Sequence, residues 1–267
     1  MNNRLYSRRE MFKSYAVVLN LNGGKDVLEC LESLKSERVN ILVVDNGSTD
    51  GSVERIKKNF PKIKIIENKK NLGFTAGNNI GIRYALKQGA EAILLLNHDT
   101  IVEKGFLESL LKNPADIVGS VIKFKRKGKI IYDHGGKVDR VFGRNYHLES
   151  EKRGKAREID YVSGCAMFIR WPVFEKIGLL DEAYFIFYED ADFCLKARRA
   201  GFKIAVEPKS LIFHKLSEGK KKPWRMHFHL LKSNFIFINR YVPLWRRKLA
   251  YDYLLLLLFK VIWNQLT

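Results

Sequence analysis

The feature that most constrains this chain is a repeated unit. A short apolar run stops abruptly at a polar residue, and a helix-like stretch follows. Residues 15–19 (YAVVL), 41–45 (ILVVD), 63–66 (IKII) and 92–96 (AILLL) are the apolar runs. Residues 25–34, 50–59 and 76–87 are the helix-like stretches, and the second opens on an acidic cap and closes before Pro61. Strands alternating with helices of this length imply an α/β fold with a mostly parallel central sheet covered on both faces. Ligands of such sheets sit beyond the carboxyl ends of the strands. The polar residues at 20–24, 45–48 and 97–100 all fall there.

A chain of 267 residues, 46% hydrophobic and 29% charged, has enough apolar material for one large folded domain with an appendage. Its charge is lopsided: 48 Lys and Arg against 29 Asp and Glu give +19. That field suits nucleic acid, anionic lipid or phosphate-bearing substrates, and equally a merely solvated basic surface. The basic clusters at 123–129, 152–157 and 220–225 fall in expected loops with no nucleic-acid recognition motif, so no nucleic-acid partner is expected. Cys30, Cys165 and Cys194 are odd in number and lack metal-type spacing; Cys30 and Cys194 fall in apolar-periodic helical stretches, which points to core packing, and a reducing, cytoplasmic setting fits best. Residues 1–9 are polar, and no signal peptide is read there.

The regular alternation breaks at 123–157, expected to be a hairpin excursion or a mobile loop within the main domain. Apolar order returns at 161–171, a helix is expected at 191–200, and two short strands at 203–206 and 211–213. The organisation is therefore a polar segment (1–14), a main domain (15–223) and an amphipathic helical tail (224–267). The tail is rich in aromatic residues and Leu, with Arg246, Arg247 and Lys248 between two apolar stretches. Its run at 254–259 is too short to span a bilayer, which needs ~20 apolar residues. An interfacial helix on a membrane and a helical pair packed on the domain, or in a dimer, are both open readings.

Five segments carry candidate chemistry. In VVDNGSTDGS (43–52), Asp45 at a strand end can meet a base or ribose, while Ser48 and Asp50 also suit helix capping. In NLGFTAGNNIGIRYAL (71–86), Gly73 and Gly77 allow close backbone approach, and Asn78 or Asn79 can bond a nucleotide. LLLNHDT (94–100) ends a wholly apolar strand in Asn97, His98 and Asp99; Asp99 suits a hard cation that also binds phosphate, or a plain turn. YFIFYEDADFCLKARRAG (184–201) delivers Glu189, Asp190 and Asp192 beside aromatic rings at a helix start. That crowding favours a general base over simple capping. His214 closes the run LIFH at a strand end, where an imidazole suits a divalent transition-type metal.

In this order, and with SGCAMFIR (163–170) between the third and fourth, the segments resemble the inverting family 2 glycosyltransferases of GT-A fold, especially rhamnosyltransferase-like members. The resemblance covers residues 15–214. It implies that Asp45 contacts the base, with Asn78 nearby, and that Gly164 lines the donor-sugar region. It further implies that Asp99 and His214 hold Mg²⁺ or Mn²⁺, and that Asp190 is the catalytic base, supported by Glu189 and Asp192. Asn97 stands where the family's acidic metal motif has its first carboxylate, which predicts weaker or less strict metal dependence. The implied donor is a nucleotide-diphosphate sugar, dTDP-rhamnose or a UDP-hexose. The implied acceptor is a cell-surface polysaccharide or lipid-linked glycan, and the basic surface with the aromatic tail suits peripheral contact with an anionic membrane on its cytoplasmic face. A nucleotidyltransferase would carry a Gly-rich phosphate loop after the first strand, and LNLNGG (19–24) matches that poorly. No G-x-G-x-x-G follows a strand, which argues against a dinucleotide-dependent oxidoreductase.

Overall fold

The computed structural model describes residues 12–154, 158–216 and 223–266. Most of the polar N-terminal segment and parts of two of the three basic clusters, 155–157 and 220–222, therefore lie outside the described residues. The first half follows the expected alternation: β1 (Ser14–Asn20), α1 (Asp26–Leu34), β2 (Asn40–Asp45), α2 (Ser52–Asn59), β3 (Lys64–Glu67), α3 (Gly73–Lys87) and β4 (Ala92–Asn97). After it come β5 (Thr100–Val102), α4 (Phe106–Lys112), β6 (Ile117–Arg126), β7 (Lys129–Asp139), β8 (Arg144–Ser150), β9 (Ala166–Arg170) and α5 (Trp171–Ile177). The chain closes with α6 (Glu189–Arg199), β10 (Ile204–His214), α7 (Trp224–Tyr241) and α8 (Arg247–Leu266).

The sheet order is β3-β2-β1-β4-β9-β6-β10-β5, with β7 and β8 continuing beside β6. The four strands from β3 to β4 run parallel, while β9 is inserted antiparallel between β4 and β6. Successive side chains of each inner strand fall on opposite faces, as a two-residue period requires. Val17 and Leu19 of β1 and Ile93 and Leu95 of β4 enter one core with residues of α3, α5, α6 and α7. Ala16, Val18, Leu94 and Leu96 enter the other with α1, α2 and α4. Both faces are buried, which is why these strands read as unbroken apolar runs.

β2 and β4 lie on opposite sides of β1, so strand order reverses there and a crevice opens beyond the strand ends.

Three features differ from the local pattern. The excursion at 123–157 is an ordered antiparallel extension rather than a mobile loop in its described part. Its β6–β7 turn is Lys127-Gly128, both at positive φ (50° and 79°), the two-residue turn that suits strand twist. The two strands expected at 203–206 and 211–213 are one strand, β10. Its register with β6 shifts between Glu207 and Leu211, around Pro208, which has no N–H to give to a ladder. The tail folds as two helices. α7 packs on the domain through Phe237 and Tyr241, and α8 packs on α7 through Ala250, Tyr251 and Leu254. Among the described residues no helix is long and apolar enough to cross a membrane.

Candidate active site

A cavity of about 300 Å³ opens at the strand reversal. One wall comes from strand ends and the first turn of α3: Leu19, Asn46, Phe74, Asn97, His98 and Asp99. The opposite wall comes from the segment before α6 and the first turns of α7: Phe185, Ile186, Arg225, Met226 and His229.

The polar wall is set by short-range geometry. Asp45 is 3% exposed and its carboxylate accepts from Asn20 Nδ2 (2.7 Å), Gly47 N (3.1 Å), Ser48 N (2.9 Å) and Ser48 Oγ (2.5 Å). It fixes the turn, and its neighbour Asn46 reaches the cavity wall. Asn46 donates to Gly73 O at 2.8 Å and accepts from Asn68 at 3.0 Å, pinning the loop that precedes α3. Gly73 sits at φ 88°, and a Cβ there would lie 2.6 Å from the Phe185 carbonyl oxygen. Only a glycine lets α3 begin so close to the 184–188 segment, whose Phe185 O accepts from Phe74 N at 2.8 Å. Asn78 is buried, donates to Phe74 O within its own helix, and lies outside the cavity lining. Asn79 ties α3 to Leu180 and Glu182.

At the end of β4, Asn97, His98 and Asp99 are half-buried and line the cavity. His98 Nδ1 lies 3.1 Å from the Leu19 carbonyl, which orients the ring. β5 and β10 pair antiparallel with His214 opposite Thr100, bringing His214 Nε2 to 3.1 Å from Asp99 Oδ1. Burial opposes ionisation of Asp99, but His214 and then His98 outweigh it and hold the carboxyl below its ordinary value.

Asp99 Oδ1 is buried without a directed hydrogen bond. Two ligands ~2.1 Å from one octahedral ion, at right angles, stand about 3.0 Å apart. The Asp99–His214 separation fits adjacent positions on such an ion. No group of three or more His, Cys, Asp or Glu able to hold a metal occurs among the described residues. The pair can therefore hold a divalent ion only if other ligands, such as phosphate oxygens and water, complete the shell.

The second acidic centre lies at the start of α6. Phe187 and Tyr188 precede it at φ 71° and 69°, a conformation that L-residues with bulky side chains rarely adopt. Packing imposes it: Asn234 Nδ2 donates to the Tyr188 hydroxyl at 2.7 Å, the Tyr188 ring meets Phe237 at 5.0 Å, and Ser233 Oγ donates to Ile186 O at 2.8 Å. α7 thus clamps the segment that presents the three acids.

The acids are placed differently. Glu189 is 5% exposed, and burial first, then Asp190, pushes its carboxyl well above the usual range. Asp190 is half-buried; its carboxylate accepts from Gly164 N at 3.1 Å and Ala191 N at 2.8 Å. Burial raises Asp190 too, and the Gly164 amide and the charge of His147 offset this in part. Burial thus acts on both neighbouring acids in the same direction, and Asp190 is the one whose carboxyl has backbone amides of Gly164 and Ala191 to accept from. Asp192 is 1% exposed and bonded to Tyr241 Oη (2.9 Å), Arg240 (3.1 Å) and Lys196 (2.7 Å), so it supports the site by anchoring α7.

Gly164 joins the two centres. A Cβ there would lie 3.1 Å from the Phe74 ring, on the cavity wall, and 3.6 Å from Asp190 Cβ. Of the expected residues, Asn97 and Asp99 line the cavity; His214 adjoins it through Asp99, and Gly164 with Asp190 lies behind Phe74, while Asp45 and Asn78 are likewise outside the lining. The pattern-based reading passed over Asn46, Phe74, Arg225 and His229. Asn46 was adjacent to a residue already singled out; the α7 residues carry no local signal, because docking of the tail brings them there. All three cysteines are buried and free, as core packing requires of Cys30 and Cys194.

Known proteins agree with this architecture. The chain is 31% identical over 195 residues to a low-salt glycan biosynthesis hexosyltransferase of Haloferax volcanii, covering 70% of this chain and 62% of that protein, so it spans less than two thirds of that relative. It is 24% identical over 257 residues to a dTDP-rhamnosyl transferase of Shigella flexneri, covering 86% and 81%. It is 25% identical over 254 residues to an N-acetylglucosaminyl-diphospho-decaprenol L-rhamnosyltransferase of Mycobacterium tuberculosis, covering 82% and 81%. Among solved structures, GalNAc-T7 with UDP, GalNAc and Mn²⁺ superposes with a TM-score of 0.64 at 17% identity, over 79% of this chain and 45% of that one. TarS of S. aureus in complex with UDP-GlcNAc gives 0.55 at 19% identity, over 86% and 67%. These likenesses bear out the GT-A fold. Residues 15–178, more than half of the chain, match the family model described as Glycosyl transferase family 2, and the chain belongs to that family.

Proposed function

We propose that the chain transfers a sugar from a nucleotide-diphosphate donor to an acceptor hydroxyl with inversion at the anomeric carbon. One observation carries this reading. The carboxylate of Asp190 is held by Gly164 behind Phe74, on the same side of the cavity as the open Asp99–His214 pair. The donor's nucleotide lies along the strand-end wall, where Asp45 acts through the turn that presents Asn46, and Asn78 stiffens the start of α3. Asp190 accepts the proton of the acceptor hydroxyl as its oxygen attacks the anomeric carbon. The C–O bond to the diphosphate breaks, and the nucleoside diphosphate leaves with the electron pair. Asp99 and His214 would hold Mg²⁺ or Mn²⁺, which when bound neutralises charge on the diphosphate. Asn97 removes one carboxylate from that shell. The proposed donor is dTDP-rhamnose or a UDP-hexose.

The test is Asp190→Asn. Turnover of the donor, read as released nucleoside diphosphate, is expected to fall by about 10²–10⁴-fold with donor affinity unchanged. Turnover within a few-fold of wild type would sink the assignment.

The proposed acceptor is a lipid-linked or cell-surface glycan, approached from the cytoplasmic side of a membrane. In support, α8 and the turn before it expose Leu244, Trp245, Leu256, Phe259 and Trp263, each more than 65% accessible, beside Arg246 and Lys248. Aromatic and basic residues together suit an anionic headgroup region. The chain should float with phosphatidylglycerol vesicles and not with phosphatidylcholine vesicles; equal behaviour with both would remove this part of the reading.

A further inference from the structure

We propose that a second cavity, between the β7–β8 turn, α7 and α8, is a carbohydrate subsite that holds a sugar residue of the acceptor glycan beside the segment leading into Asp190. The inference rests on the transfer proposed above, for which it supplies the acceptor side.

This cavity measures about 610 Å³, within the range of roughly 300–1,000 Å³ usual for small-molecule sites. Its polar side is Asp139, Arg144 and Asn234, its rings are Tyr146, Tyr188 and Tyr253, and leucines of α7 and α8 complete the lining. Direct contacts build it. Asp139 Oδ1 accepts from Val141 N at 2.8 Å and Phe142 N at 3.2 Å, which closes the turn, and Oδ2 accepts from Arg144 Nε at 3.1 Å. The Arg144 guanidinium lies 5.5 Å from the Tyr253 ring centroid and the Phe142 ring 5.3 Å from it, so the turn is docked on α8. On the α7 side, Asn234 Nδ2 donates to Gly143 O at 2.6 Å and to the Tyr188 hydroxyl at 2.7 Å. Gly143 sits at φ 63°, and a Cβ there would collide with Ile238, so a glycine is what lets the turn approach α7 this closely.

The cavity adjoins the catalytic segment. The chain before α6 gives Phe185 and Ile186 to the strand-end cavity and Tyr188 to this one. Likewise α7 gives Arg225, Met226 and His229 to the first, and Leu230 and Asn234 to the second. Tyr188 is followed directly by Glu189 and Asp190. In a displacement with inversion the attacking oxygen comes from the face opposite the leaving group, so donor and acceptor need separate pockets that meet at the base. Two cavities lined by different residues, on either side of the segment leading into Asp190, meet that need.

The side chains select the occupant. Aromatic rings cover the C–H faces of a pyranose, while a carboxylate, a guanidinium and an amide pair with its hydroxyls, which both donate and accept. Asn234 separates a sugar from a lipid phosphate. It is 1% exposed, its bond to the Gly143 carbonyl fixes which end of the amide is the nitrogen, and its Oδ1 is buried with no partner among the described residues. A buried acceptor left without a donor is costly. A sugar hydroxyl can donate to it. The oxygens of an ionised phosphate only accept, and Asp139 would repel their charge. A hydrocarbon chain would suit the leucines and leave Asn234 unanswered.

The test is saturation-transfer NMR on the full chain, with methyl glycosides of glucose, galactose, rhamnose and N-acetylglucosamine as probes and octyl phosphate as the lipid-phosphate probe. At least one glycoside should receive saturation on its ring protons. That contact should weaken roughly five-fold in Tyr146→Ala, an exposed side chain, and in Arg144→Ala, and persist in Asp99→Asn. Mn²⁺-dependent binding of the nucleoside diphosphate should stay at the wild-type level in Tyr146→Ala, which separates a lost contact from a lost fold. No ring-proton saturation with any glycoside, a contact undiminished in both cavity variants, or a contact from octyl phosphate alone would overturn the proposal. Each of those results leaves the transferase reading intact, because none involves the donor. Full turnover in Asp190→Asn would instead remove the transferase reading.

Discussion

Asp99–His214 and Asp133–His147 are built from the same two residue types, yet their surroundings give them different capacities. Both join a strand or strand end to a neighbouring antiparallel strand. In the first, the contact is 3.1 Å, Asp99 Oδ1 has no directed hydrogen bond, and the pair adjoins the cavity through Asp99. In the second, the contact is 2.7 Å, and the remaining carboxylate oxygen is taken by the Gly135 amide. The first pair is open and can accept a further electrophile. The second is closed, and all it offers its neighbours is the charge of the imidazole. Whether an Asp–His pair serves as a ligand set or as a fixed charge is decided by what occupies the other lone pairs.

The largest effect should come from breaking the open pair. Asp99→Asn is expected to weaken Mn²⁺-dependent binding of the nucleoside diphosphate by roughly 100-fold, measured by calorimetry, while Asp133→Asn leaves it within about two-fold. Equal losses in the two variants would erase the distinction between the pairs.

A smaller effect should come from the closed pair. His147 is raised above 6.5, its ordinary value, chiefly through Asp133 acting against burial. A cationic group raised on folding contributes stability fully below its unfolded value, and the contribution is lost as pH rises through the folded value. The ring is half-exposed and solvent screens the pair, so Asp133→Asn should destabilise the chain by no more than about 1 kcal/mol through this ion pair in urea unfolding near pH 6, and by less near pH 9. A difference that grows with pH would contradict the ion-pair account.

The contrast also explains which parts of the molecule could be read in advance. The strands β1, β2 and β4 are buried on both faces, so each shows as an apolar run cut off by Asn or Asp, and the cut marks the cavity. Asn97, Asp99, Asp190 and His214 were legible because each terminates such a run or opens a helix. The region from 100 to 122 was not: β5 is three residues long, α4 is seven, and β6 turns from an inner strand into a hairpin arm partway along its length. Asp133 and His147 escaped notice for another reason. They meet through a register shift between two strands, and no local pattern records register. Arg225 and His229 reach the cavity through the docking of α7, which depends on Arg240 bonding Asp181 at 2.6 Å and on Tyr241 bonding Asp192. Asp45 was legible as a strand-end acid, but not as one whose lone pairs the turn itself consumes.

The most direct test of the donor site is a calorimetric titration of the full chain with UDP, dTDP, GDP and ADP, each with and without Mn²⁺. The account predicts that one diphosphate binds selectively, more tightly with Mn²⁺, and that Asp99→Asn abolishes the metal's contribution. If no diphosphate binds, or if binding ignores both the metal and Asp99, the strand-end cavity is not the donor site and the proposed transfer fails with it.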